Sequence, residues 1–222
     1  MQVLKRAKFI IAIIFLLLSV YLLVPNNRSG REVDGDTVCI SHMRGIHHSL
    51  TDYYKANGKY LAAVTQCEDR LFSWRYIIAR DKMASGHIDI WYNWDVDESW
   101  QDTHNNEEIA FPYFACHVES VASKQRKVSE TSYLMLLRPN TNMDSLSNSV
   151  VIVVESADCG IHWMEPRDLS IETLHKVDNP FGKGLLNSYH DGYVYALRKN
   201  GNIIRISKNL QKCDVLAILE GK

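Results

Sequence analysis

The segment from Tyr193 to Ile206, YVYALRKNGNIIRI, decides the fold. Two runs rich in aromatic and β-branched residues, Tyr193 to Leu197 and Asn202 to Ile206, flank the dipeptide Asn200-Gly201. Asn-Gly suits a primed two-residue hairpin turn, whose central residues both need positive φ. The spacing predicts an antiparallel hairpin near the carboxyl end, and the fold must hold an antiparallel sheet.

Outward from the hairpin, Leu210, Val215, Leu216 and Leu219 predict a short closing helix. Upstream, Thr131 to Leu137 (TSYLMLL) and Ser149 to Glu155 (SVVIVVE) predict two more strands, separated by the loop Arg138 to Asn148 with Pro139. Leu71 to Met83 (LFSWRYIIARDKM) is too densely apolar to separate helix from strand and reads as mixed. Nearer the amino end, Met43, Ile46, Leu50 and Tyr53 or Tyr54 recur at helical steps, and Asn57-Gly58 supplies a left-handed stop. His42, His47 and His48 lie on or beside this helix and read as polar-face or half-buried residues, not ligands.

Phe9 to Val24, FIIAIIFLLLSVYLLV, is an unbroken apolar run of sixteen residues. As a helix it covers about 24 Å, a little short of a hydrocarbon core of about 30 Å. Lys5, Arg6 and Lys8 precede it and only Arg28 and Arg31 follow, which predicts an amino terminus in the cytoplasm and the rest of the chain outside. Val20 to Asn27 offers bulky aliphatics where a signal-peptide processing site needs small residues, so the run reads as a retained anchor. The expected organisation is 1–25 as cytoplasmic start and transmembrane anchor, 26–36 (NNRSGREVDGD from Asn26 to Asp36) as a polar linker, and 37–222 as one extracytoplasmic domain.

A net charge of −1 with no basic stripe excludes a nucleic-acid footprint. Five Trp and eleven Tyr point to a sheet-containing core. Cys39, Cys67, Cys116, Cys159 and Cys213 contain no C-x-x-C pair, so neither a zinc knuckle nor a redox motif is indicated. An odd count leaves at least one thiol unpaired, and Cys39 with Cys116 is the disulfide expected here. Ile88 to Trp94 (IDIWYNW) leads into the acidic segment Asp95 to Asn106. That segment fails as a calcium-binding EF-hand, because Trp100 stands in place of the glycine and Asn106 in place of the bidentate glutamate. Asp95, Asp97 and Asp102 remain candidates for a different calcium site, against an Asx-capped turn.

Several separated stretches together resemble one family. Cys39 to Tyr60 is similar to a Cys-led helix ending in a glycine turn, Ser73-Trp74-Arg75 resembles an SWR element, and Asp97 to Asp102 with Trp100, followed by His104-Asn105, resembles DEPWDSPHN. Phe114-Ala115-Cys116 resembles the cysteine position of YRCPS, and Gly160 to Leu169, with Trp163, Glu165 and Pro166, is similar to GIHWMEPRDL. His190 to Gly201, with Asn200, has the spacing of an H-x9-DG signature. The family these stretches resemble is the bacterial pseudopilin-like domain of unknown function fifteen-fifty-nine. The resemblance implies an α+β fold of type IV pilin-like build: a transmembrane helix, then an amino-terminal helix laid on an antiparallel sheet outside the cytoplasmic membrane. The prepilin cleavage motif and its glutamate are missing around Lys8 to Ala12, which argues against assembly into a pilus and for a permanently anchored protein.

The expected function is therefore a non-enzymatic envelope protein, related to secretion pseudopilins, with the cytoplasmic membrane and an unidentified envelope protein as partners and no cofactor. Two alternatives carry residues that can be checked. One is a metal-dependent or hydrolytic enzyme using His190 with Asp191, or His162 with Glu165, as acid-base groups; it gains if His104, His162 and His190 converge with carboxylates. The other is a carbohydrate- or cell-wall-binding module with exposed Trp91, Trp94, Trp100 and Trp163 as its platform, which fails if those indoles are buried.

Overall fold

Side chains that alternate between two apolar environments set the layering of this protein. The computed structural model describes residues 27–68, 70–84, 112–116, 130–139 and 141–222. In order the elements are α1 (Asn27–Asn57), β1 (Val64–Cys67), β2 (Arg70–Ser73), α2 (Trp74–Ala84), β3 (Tyr133–Leu137), β4 (Val151–Glu155), β5 (Leu169–Ser170), α3 (Ile171–Lys176), β6 (Tyr193–Arg198), β7 (Ile203–Ser207) and α4 (Lys212–Glu220). The main sheet runs β5-β3-β4-β6-β7, antiparallel except where β3 meets β5, and β1 with β2 forms a separate hairpin. The class is α+β. Contacts divide the chain into two units, 1–34 and 35–222.

Period-two alternation sends Tyr133, Met135, Tyr195 and Leu197 into the core shared with α1 and α2. Leu134, Leu136, Val194 and Ala196 enter a second core with α3 and α4. Strand β4 breaks the alternation: Ile152 and Val153 join the first core, Val151 and Val154 the second, and a register shift lies between Val151 and Val153. A bulge of this kind moves one extra residue across the sheet.

On α1, Cys39, Met43, Ile46 and Leu50 form a stripe at helical spacing, each at most 1% exposed. Burying one such aliphatic side chain contributes about 1.5–3 kcal/mol. Gly58 ends the helix with φ of 68° and donates its N–H to Tyr54 O, as Asn57-Gly58 predicted. Residues 27–36, whose polar composition reads as a linker, lie within this helix. The mixed segment divides at Ser73, whose Oγ accepts from Tyr76 N at 3.1 Å and caps α2.

The hairpin is present with Leu197 opposite Ile203, but its turn differs from expectation. Gly201 has φ of 89°, whereas Asn200 is not in the positive-φ region. Arg198 pairs with Asn202, and Gly201 N–H donates to Arg198 O at 2.9 Å, so three residues close the loop. This is a type I turn followed by a left-handed glycine, the next commonest hairpin solution. Docking explains the change: Lys199 is buried and donates Nζ to Asp144 O and Leu146 O, and a Cβ on Gly201 would lie 2.7 Å from the His47 ring. Leu210 to Leu219, predicted as a closing helix, is realised as α4.

Among the described residues no helix is long and apolar enough to cross a membrane. Phe9 to Val24, Ile88 to Trp94 and the acidic segment with Asp95, Asp97 and Asp102 lie outside the described residues.

Candidate functional site

Two buried polar clusters flank Tyr133, and their chemistry is opposite. The first is built on Arg75 at the start of α2. Its side chain and that of Asp168 are fully buried, with Nη1 and Oδ1 2.6 Å apart. Nε donates to Trp163 O, Nη1 also to Tyr133 O, and Nη2 to Glu165 O and Arg167 O. All five guanidinium N–H groups are thereby used. Asp168 Oδ1 accepts in addition from Trp74 Nε1 and Met135 N, and the pair is neutral as a unit. The irregular Gly160 to Leu169 segment is thus wrapped around one cation. Its carbonyls are directed inward, where an unpaired guanidinium would be costly.

The second cluster draws one side chain from each of four places. Cys39 comes from α1, Cys116 from the turn after Pro112–Phe114, Glu155 from the end of β4 and His190 from the segment before β6. All four residues are buried, and their ligand-capable atoms lie within 4.8 Å of one another. The two sulfurs are 2.9 Å apart, as thiols. His190 Nε2 lies 3.6 Å from both Cys116 Sγ and Glu155 Oε1. His190 Nδ1 meets Asp36 Oδ1 at 2.7 Å; a carboxylate only accepts, so Nδ1 carries the proton and Nε2 faces the sulfurs. Asp36 is held in turn by Tyr193 Oη and by Arg205 Nη2, each at 2.8 Å. Ser132 Oγ accepts from Cys116 N at 2.8 Å and orients the loop.

The balance of charge here is on the accepting side. Glu155 Oε2 accepts from Tyr195 N, but buried Oε1 has no hydrogen bond. Burial drives the Glu155 carboxyl up to about 7, against the lowering effect of nearby His190. For His190, burial opposes the charged form, yet contacts with Cys39, Glu155 and Asp36 outweigh it and raise its pKa. The Tyr133 hydroxyl, also buried without a hydrogen bond, is pushed well up by burial and then by the two cysteines. Two sulfurs, an imidazole nitrogen and a carboxylate oxygen form a donor set suited to a borderline-soft cation.

The structure separates the predicted acid-base pairs. His190 is paired with Asp36 and Glu155, while adjacent Asp191 is exposed, so that assignment is corrected. His162 Nδ1 accepts from Met164 N, and the Glu165 carboxylate pairs with Arg167 at 2.7 Å. Burial, then the Arg75 charge, lowers the His162 pKa to about 4. Of the residues carrying the family resemblance, Ser73, Trp74, Arg75, Trp163 and Glu165 meet in the first cluster, with Pro166 on the loop that encloses it. Cys116 and His190 meet in the second, and Asn200 and Gly201 form the hairpin turn. Trp163 is 1% exposed and offers no platform for a sugar; Trp91, Trp94, Trp100 and His104 lie outside the described residues. Cys39 and Cys116, expected as a disulfide, are brought together as two thiols 2.9 Å apart and not as a bonded pair. Sequence reasoning passed over Glu155 and Asp36. The signal for Glu155 was a carboxylate closing an otherwise apolar strand; Asp36 carried none, lying in a polar run.

Comparison with family models, with curated proteins and with solved structures finds no match.

Proposed function

We propose that this chain is a membrane-tethered, non-enzymatic envelope protein of pseudopilin-like build, which holds its folded domain outside the cytoplasmic membrane and acts through contacts with another envelope protein. The observation that carries the reading is a long helix, Asn27–Asn57, beginning just after the apolar run Phe9 to Val24 and laying its Cys39, Met43, Ile46 and Leu50 stripe on a mainly antiparallel sheet. The same order of parts is what the resemblance implies. The positive residues ahead of the run set the orientation. On this reading the protein acts as an anchored monomer and not as a fibre subunit.

Protease treatment of intact spheroplasts tests this. The domain is expected in the membrane fraction and accessible to external protease, with detergent needed to release it. Recovery of a protease-resistant protein from the cytoplasmic fraction would contradict it.

A further inference from the structure

We propose that Cys39, Cys116, Glu155 and His190 form a closed, four-ligand site for a zinc ion that staples α1 to the sheet. The inference goes beyond the tethering reading and does not rest on it, since it concerns the folded domain in any compartment.

Four observations carry it. First, the donor set is two sulfurs, one nitrogen and one oxygen, which selects zinc and related transition ions over calcium or magnesium, whose ligands are oxygens. Second, the spacing suits a tetrahedron. Zinc bonds of about 2.0–2.3 Å give edges of about 3.3–3.8 Å. His190 Nε2 lies 3.6 Å from Cys116 Sγ and 3.6 Å from Glu155 Oε1. The sulfur pair, at 2.9 Å, must open by under about 1 Å, and all four ligand atoms lie within 4.8 Å of one another.

Third, the supporting contacts are those of a metal-binding histidine. Asp36 accepts from His190 Nδ1–H and so fixes the tautomer that presents Nε2; Arg205 and Tyr193 hold Asp36 in place. Fourth, Glu155 Oε1 points into the cluster, fully buried and without a hydrogen bond. A cation between that oxygen and His190 Nε2, 3.6 Å away, would bond to it directly. On binding, zinc displaces the two thiol protons to solvent and the sulfurs ligate as thiolates, with no change of oxidation state. All four positions are filled by protein, which makes the site structural, with no open position for a substrate.

The test uses the full chain, purified in detergent under reducing conditions without chelator, with cobalt(II) as the spectroscopic probe and zinc measured by elemental analysis. One zinc per chain is expected. Cobalt should give the intense visible bands of a tetrahedral site and a sulfur-to-metal charge-transfer band, both displaced by zinc. Cys39→Ser and Cys116→Ser should remove the charge-transfer band, whereas Cys67→Ser and Cys213→Ser, at exposed positions, should leave it. Asp36→Asn should weaken affinity about 10–100-fold, as loss of a partner behind a ligand does. Should the serine variants fail to fold, the parent chain supplies an independent reading: zinc should protect Cys39 and Cys116 from alkylation, and chelation should remove that protection.

Three results would each overturn the proposal: a reduced chain with no cobalt charge-transfer band; metal content unchanged in the Cys39→Ser, Cys116→Ser double variant, meaning an adventitious ion only; or a Cys39–Cys116 disulfide whose reduction yields no metal binding.

Discussion

The Arg75 cluster and the Cys39 cluster lie on either side of Tyr133, and they solve the problem of buried polarity in opposite ways. Around Arg75 every guanidinium donor finds an acceptor and the Asp168 carboxylate balances the charge, with Asp168 Oδ2 left buried and without a hydrogen bond. Around Cys39 two sulfurs, an imidazole nitrogen and a carboxylate converge, and Glu155 Oε1 is buried with no hydrogen bond. The contrast teaches that burial alone does not mark a site. Where the chain supplies its own cation, as Arg75 does for Asp168, the buried carboxylate is part of the architecture; where a buried carboxylate instead meets two sulfurs and an imidazole, the cation can come from outside.

The largest expected effect breaks the Arg75 cluster. Asp168→Asn leaves the Arg75 charge buried without its counter-ion and should cost about 3–5 kcal/mol in urea unfolding. A loss below about 1 kcal/mol would mean that Arg75 is not dependent on this pair. Next in size, Asp36→Ala removes the acceptor shared by His190, Tyr193 and Arg205. It should cost about 1.5–3 kcal/mol, the scale of hydrogen bonds to charged groups. Asp191→Asn, beside it in sequence and exposed, should stay within about 0.5 kcal/mol. Equal effects at the two aspartates would undo the assignment of Asp36 as the partner of His190.

Glu155→Gln in metal-free protein should change stability by under about 1 kcal/mol, since it replaces a carboxylate that burial already disfavours. A loss matching that of Asp168→Asn would place the two clusters in the same class. The smallest effect is confined to acid. His162 is held near 4 in the fold against 6.5 when exposed, so below 6.5 the unfolded chain takes up a proton that the fold refuses. Stability should therefore be lost as pH falls from about 6.5 to about 4. His162→Asn should flatten that part of a plot of thermal midpoint against pH, and an unchanged slope would assign the acid loss elsewhere.

Much of this was legible in the residues. The strands at 133–137, 151–155, 193–198 and 203–207 follow runs of Val, Ile, Leu and Tyr, and Gly58 ends α1 where Asn57-Gly58 indicated. The helical stripe Met43, Ile46, Leu50 was visible at its own spacing. What stayed hidden depends on contacts distant in sequence. The hairpin turn is reshaped by His47 and by the 144–146 carbonyls, more than fifty positions away. Arg75 sits in a run whose apolar density masked its role, and its acceptors lie some 58 to 93 positions on. Asp36, in a segment that composition assigns to a linker, reaches its histidine 154 positions later only because α1 crosses the sheet there.

The central claim, that the Cys39 cluster is completed by a metal ion, is tested most directly by the thermal midpoint of the reduced, full-length protein with and without zinc. Binding to the folded state alone should stabilise it by about 2.7 kcal/mol at a hundredfold excess over the dissociation constant. The account predicts a midpoint that rises with zinc in the parent chain and stays fixed in Cys116→Ser. A parent chain indifferent to zinc, or a variant that responds equally, would contradict it.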